Sequence, residues 1–99
     1  MDIEGTSEKL RALAHPTRLR ILCLLREEGR CVQDLEEKLQ LRQSNVSQHL
    51  RILKDKGLVR VSRSGQKLCY SLDRNLVGPI LDTLENDPQC GKSREGEQE

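Results

Sequence analysis

Any hydrophobic core in this chain has to be assembled from aliphatic side chains, because neither Trp nor Phe occurs and Tyr70 is the only aromatic residue. Leucine fills 17 of the 99 positions. A core of this kind is thin, and a chain this short has no room for a second one. Small chains with thin cores gain further burial by associating, so a homodimer is expected before any functional consideration.

The apolar residues are also too dispersed for a membrane span. No run approaches the roughly 18 residues that a bilayer requires, and no signal-peptide pattern opens the sequence. The expected location is therefore the cytoplasm, with no membrane partner. In a reducing compartment the four cysteines, Cys23, Cys31, Cys69 and Cys90, are thiols, metal ligands or redox switches before they are structural disulfides.

The spacing of the leucines predicts mainly helix with a small β-hairpin. Leu10, Leu13 and Ala14 give a first helix a short stripe, with Thr6 or Ser7 as its N-cap. Pro16 suits the first turn of a second helix, whose buried side is Leu19, Ile21, Leu22, Cys23 and Leu25 and which Gly29 stops. "CVQDLEEKLQL" places Val32, Leu35 and Leu39 on one face of a short third helix. A fourth begins near Gln43, turns Val46, Leu50 and Leu53 inward and ends at Gly57. Next, "LVRVSRSGQKLCYSL" has strand character. Val59 and Val61 alternate on one side, Leu68, Tyr70 and Leu72 on the other, and Ser64-Gly65 is the turn signal. A last helix over about 75–85 carries Leu76, Val77, Ile80, Leu81 and Leu84, with Pro79 tolerable in its first turns. The order α-α-α-α-β-β-α, with two short helices joined by a tight turn and then a basic hairpin, is that of a winged helix-turn-helix. Residues 1–88 are expected to form this domain and 89–99 a polar, disordered tail.

Charge singles out the fourth helix. The net charge of +1 hides −1 over residues 1–40, +6 over 41–70 and −4 over 71–99, and Asp55 is the only acid in the middle segment. "QSNVSQHLRILK", residues 43–54, contains no carboxylate. A helix that enters a major groove is flanked by phosphates, which repel an outward carboxylate from both sides. The outward face presents Gln43, Ser44, Ser47, Gln48 and Arg51, with Asn45 and His49 at its margins, and its amides and guanidinium suit base edges. Arg42 and Lys54 suit backbone phosphates, Arg63, Ser64 and Lys67 at the hairpin tip suit an adjacent minor groove or the backbone, and Thr17 or Arg18 adds another phosphate contact from the second helix. A solvated polar face is the plainer reading. The missing acids, the preceding short helix and the basic hairpin together favour double-stranded DNA.

"LAHPTRLRILCLL", "CVQDLEEKLQLRQSNVSQHLRILKDKGLV" and "GQKLCYSL" together resemble the ArsR/SmtB repressors over about residues 8–86. The resemblance implies a homodimer built on the first and last helices, here Leu10, Leu13, Leu76, Ile80 and Leu84. It further implies an operator of two-fold symmetry and release of DNA when an inducer binds; it requires no resident cofactor. His15 belongs to the shared motif and is read as structural.

Three readings of the thiols stay open. Family members that sense soft metals or arsenite often carry "CVCDL" where this chain has "CVQDL". Cys31 thus matches the first thiolate, but Gln33 replaces the second, and amides are poor ligands for soft metals. The family's other metal site, an Asp/His/His/Glu set on the last helix, has no match in "DRNLVGPILDTLEND". Another branch of the family joins a thiol of the second helix to one at the end of the last, and Cys23 and Cys90 fall near those places. Trivalent arsenic could instead take Cys31 together with a thiolate from the partner chain. Alternatively, the thiols are incidental, with Cys23 a small hydrophobe and Cys69 an exposed side chain alternating outward.

No Gly-rich phosphate loop or Ser/His/Asp set is present, so an enzyme is not expected. The rival from another class is a winged-helix module that binds protein rather than DNA. It requires apolar residues exposed on the fourth helix or the wing and tolerance of acids there.

Overall fold

The computed structural model describes residues 1–85. The expected tail, the last residues of the expected domain and Cys90 lie outside the described residues. Five helices and a small sheet follow in the order α1 (Ile3–Leu13), α2 (Pro16–Glu27), β1 (Arg30–Cys31), α3 (Val32–Leu39), α4 (Gln43–Asp55), β2 (Val59–Ser64), β3 (Lys67–Leu72) and α5 (Val77–Glu85).

Local chemistry accounts for most boundaries. Helix α1 starts earlier than expected, because Asp2 rather than Thr6 or Ser7 is its N-cap and accepts a hydrogen bond from the Gly5 N–H at 3.1 Å. His15 caps α2 through Nδ1, which accepts from the Thr17 N–H at 3.2 Å, and Pro16 takes the first turn. This helix ends at Glu27, short of Gly29, because Glu28 is already extended and leads into a strand. At the end of α3, Gln40 is left-handed (φ 58°) and the Leu41 N–H reaches back to the Glu36 carbonyl at 3.2 Å. Gly57 (φ 75°) closes α4 in a Schellman motif, with the Leu58 N–H donating to the Leu53 carbonyl and the Gly57 N–H to that of Lys54, both at 2.9 Å. Helix α5 begins at Val77 rather than Asn75, since Asp73 Oδ1 accepts from the Leu76 N–H at 3.1 Å and holds the preceding turn.

Strand β1 is the main addition to the expected order. The sheet runs β1-β3-β2, antiparallel throughout. Val59 faces Leu72, Val61 faces Tyr70 and Arg63 faces Leu68. The apolar residues of both strands therefore share one face instead of dividing between two. Val59 and Leu72 are buried, while Val61 and Leu68 are exposed where the hairpin leaves the domain. The hairpin loop is Gly65-Gln66, and positive φ at Gly65 alone (66°) fits a type II′ turn.

The core is aliphatic, with Ile21, Leu22, Leu25, Leu35, Val46, Leu50, Leu53, Leu58 and Val77 fully buried. Two side chains depart from expectation. Cys23 is exposed, since the buried stripe of α2 narrows to Ile21, Leu22 and Leu25. Leu13 is buried within its own chain and so belongs to this core rather than to a free docking face. Ile3 (67% exposed), Leu10 (53%), Leu76 (38%) and Leu84 (51%) are the large apolar side chains of α1, α5 and the turn before α5 left in solvent, whereas Ile80 is half-buried.

A buried cation holds the junction of α2, β1 and α3. The Arg30 side chain is only 7% exposed. Its guanidinium donates to Asp34 and Glu27 at 2.7 Å each and to the Leu24 carbonyl at 3.1 Å. Glu28 approaches it at 3.7 Å. Carboxylates on two sides offset the cost of removing the charge from water. From the same helix, Arg26 pairs with Asp82 at 3.1 Å and with Glu85, which fastens α5.

Candidate nucleic-acid interface

Helix α4 is divided sharply by burial. Val46, Leu50 and Leu53 are at 0% exposure, while Gln43, Ser44, Asn45, Ser47, Gln48, Arg51 and Lys54 are all exposed. The inward three lie at i, i+4 and i+7, one stripe of a helix, and their packing fixes the rotation at which the polar face meets solvent. Ser44, Ser47, Gln48 and Arg51 line one shallow open depression of about 370 Å³ on that face. The leading residue, Arg42, provides no side-chain cap. The first amides of α4 are thus left for solvent or an anion, at the end of the helix where the dipole favours negative charge.

The wing extends the same polarity. Arg63, Ser64 and Lys67 are exposed at its tip, where Ser64 pairs with Lys67 across the turn. Lys54 and Arg42 are exposed at the two ends of α4.

Two of the residues proposed from sequence are occupied by each other. Arg18 Nε donates to His49 Nδ1 at 3.2 Å, and the guanidinium also reaches the Ala12 carbonyl at 3.5 Å. The His15 and His49 rings lie 4.8 Å apart, tilted at 59°. Desolvation, then the neighbouring His15 and Arg18, hold the His49 pKa below its ordinary value. His49 is half-buried and neutral, an acceptor that ties α4 to α2, and Arg18 is half-buried beside it. Thr17 is half-buried as well, and its backbone N–H is taken by the His15 cap. Nothing in the spacing of residues 18 and 49 signals this pairing, since 31 positions separate them.

The thiols are arranged differently from each expected pairing. Cys31 is the N-cap residue of α3, and its sulfur lies 2.6 Å from that of Cys69 on β3. Gln33 points to solvent. Cys23 stands in a shallow surface hollow with Leu19, Arg20, Leu24, Glu27, Lys38 and Leu39. Among the described residues no group of three or more His, Cys, Asp or Glu side chains converges as a metal site would require. Among the described residues the donor set of one chain therefore does not fit a soft-metal centre, which prefers several thiolates. Among the described residues no helix is long and apolar enough to cross a membrane.

Comparison with known proteins gives a consistent picture. The family model described as "Bacterial regulatory protein, arsR family" matches residues 15–61, which run from the α2 cap through α4 into the wing. The HTH-type transcriptional repressor SmtB of Mycobacterium tuberculosis is 45% identical over 83 residues, covering 83% of this chain and 62% of that repressor. This chain thus spans less than two thirds of that relative's length. The structure of HlyU from Vibrio cholerae superposes with a TM-score of 0.79 at 33% identity, covering 86% of this chain and 95% of that one. A homodimeric winged helix-turn-helix DNA-binding domain, Mb0332 from Mycobacterium bovis, superposes with a TM-score of 0.79 at 26% identity, over 84% of this chain and 77% of that one.

Proposed function

Since the chain belongs to the ArsR/SmtB family of helix-turn-helix regulators, we propose that it is a dimeric, DNA-binding transcriptional repressor and not an enzyme. The observation that carries this reading is the face of α4. Every exposed side chain from Gln43 to Lys54 is uncharged or cationic, and the three apolar residues behind it are fully buried. Gln43, Ser44, Asn45, Ser47, Gln48 and Arg51 read base edges in the major groove. Arg42 and Lys54, with Arg63, Ser64 and Lys67 from the wing, bind phosphates and fix the register. Arg18 and His49 act behind this surface by holding α4 against α2.

The homodimer joins α1 and α5 of one copy to those of its partner. Ile3, Leu10, Leu76 and Leu84 are apolar side chains exposed on those segments, and a chain with so thin a core gains most from covering them. The superposable Mb0332 domain is itself described as homodimeric. Two copies related by a two-fold axis present two α4 helices to an operator of matching symmetry. A thiol-directed inducer suits this chain better than a metal held within one subunit, because among the described residues Cys31 meets Cys69 and no further converging ligand.

The experiment is a gel-shift titration with a duplex selected from a random library by the full chain. The shifted species should hold two protein copies per duplex. Gln48→Glu, at an exposed position, should keep the fold and lose the shift at physiological salt. Retained affinity in that variant would exclude Gln48 from the groove.

A further inference from the structure

We infer that Cys31 and Cys69 form a dithiol site which a two-electron oxidant of the peroxide class converts to an intrachain disulfide. The two residues are direct partners in the antiparallel register of β1 and β3. Opposed residues of such a ladder have Cα atoms about 4.5–5.5 Å apart, inside the roughly 4.4–6.8 Å that a disulfide spans. The side chains also point at each other, with sulfur-to-sulfur contact at 2.6 Å. Both are half-buried rather than sealed in the core, so a small oxidant can reach them. No backbone rearrangement is needed to join them. Cys23, by contrast, is exposed on α2, away from this pair.

The chemistry balances with peroxide alone. The hydrogen bond to Cys31, followed by desolvation, raises the Cys69 thiol above its ordinary pKa, and the same disulfide results whichever sulfur attacks first. With Cys31 first, its sulfur forms an S–O bond as the O–O bond of peroxide breaks, and the departing hydroxide leaves as water with the Cys31 thiol proton. The Cys69 sulfur then attacks the sulfenic sulfur of Cys31. An S–S bond forms, the S–O bond breaks, and the second oxygen leaves as water with the Cys69 proton. Two thiols lose two electrons and two protons, and one peroxide becomes two waters.

The position of the bond gives it a distinct consequence. Residues 31–69 contain α3, α4 and the whole of β2, so the bond would enclose the helix-turn-helix and the first wing strand in one covalent loop. The start of α3 would be tied to the wing while the buried core stays as it is.

Peptide mapping of the full chain treated with hydrogen peroxide and then alkylated tests this directly, with a readout independent of DNA binding. Reactive thiols should fall from four to two. Trypsin should release residues 31–38 joined to residues 68–74, two hydrogens lighter than the sum of the separate peptides. Cys31→Ser and Cys69→Ser should each abolish that species, and Cys23→Ser should leave it intact. Four thiols still alkylated after treatment, or residues 21–26 joined to the peptide containing Cys90 instead, would overturn the assignment.

Discussion

Shortening Leu50 and Gln48 separately to alanine should divide stability from DNA binding, although the two residues are two positions apart on one helix. Leu50 is fully buried against the core and Gln48 is exposed on the opposite face. Leu50→Ala removes three carbon atoms from water-free surroundings, about 2.4 kcal/mol at roughly 0.8 kcal/mol each. The cavity left behind adds about 1–2 kcal/mol, because neighbours in a packed core relax only in part. The total of about 3–4 kcal/mol is a large share of the roughly 5–15 kcal/mol that stabilises a domain of this size. It corresponds to a fall in melting temperature on the order of 12–30 °C. Gln48→Ala should change stability by less than about 0.5 kcal/mol while weakening operator binding. Urea unfolding followed by far-ultraviolet circular dichroism, at one protein concentration because the proposed dimer would contribute by mass action, measures the first effect. A loss below about 1 kcal/mol for Leu50→Ala, or equal losses for the two variants, would mean that α4 does not turn Leu50 inward.

Arg30→Ala should destabilise by roughly 1–3 kcal/mol, less than the sum of three charge-assisted hydrogen bonds, because the Glu27 and Asp34 carboxylates it leaves behind can return to water. Arg30→Met keeps the apolar stem and should lose less; equal unfolding midpoints for the two variants would show that the stem is not packed. Stability should also fall as the pH is lowered through about 6.5, since the unfolded chain takes up a proton on His49 before the folded chain does. That contribution is fully present above 6.5, and the decline ends below the depressed folded pKa. Urea midpoints between about pH 7.5 and about pH 5 should therefore drop less in His49→Gln, and an unchanged drop would remove His49 as its source.

The parts of the fold legible in sequence are those with a repeating spacing. Val46, Leu50 and Leu53 disclose the orientation of α4, and the missing carboxylates disclose what its other face is suited to meet. Strand β1 has two residues and no period, so only its pairing with β3 defines it. The same pairing brings Cys31 to Cys69 across 38 positions, and a resemblance that directed attention to Cys23 and Cys90 gave no hint of it. Helix spacing alone could not exclude Cys23 from the core, because it borders Leu22 in sequence and the stripe of α2 narrows only once α3 and β3 are packed beside it. Arg30 did carry a local signal, with Glu27 three positions before and Asp34 four after. What that spacing lacks is burial, which the surrounding elements supply. His49 falls on the margin of the recognition face by periodicity, and the tertiary contact with Arg18 and His15 turns it inward.

The salt dependence of operator binding tests the proposed interface most directly. Arg42, Lys54, Arg63 and Lys67 are exposed cations of α4, its leading residue and the wing, and the proposed dimer doubles them. Neutralising about eight phosphates predicts a slope of roughly −7 for the logarithm of the association constant against the logarithm of salt concentration. A slope of that size supports α4 and the wing lying against a duplex. A slope near zero would contradict it and favour a winged-helix module that recognises protein.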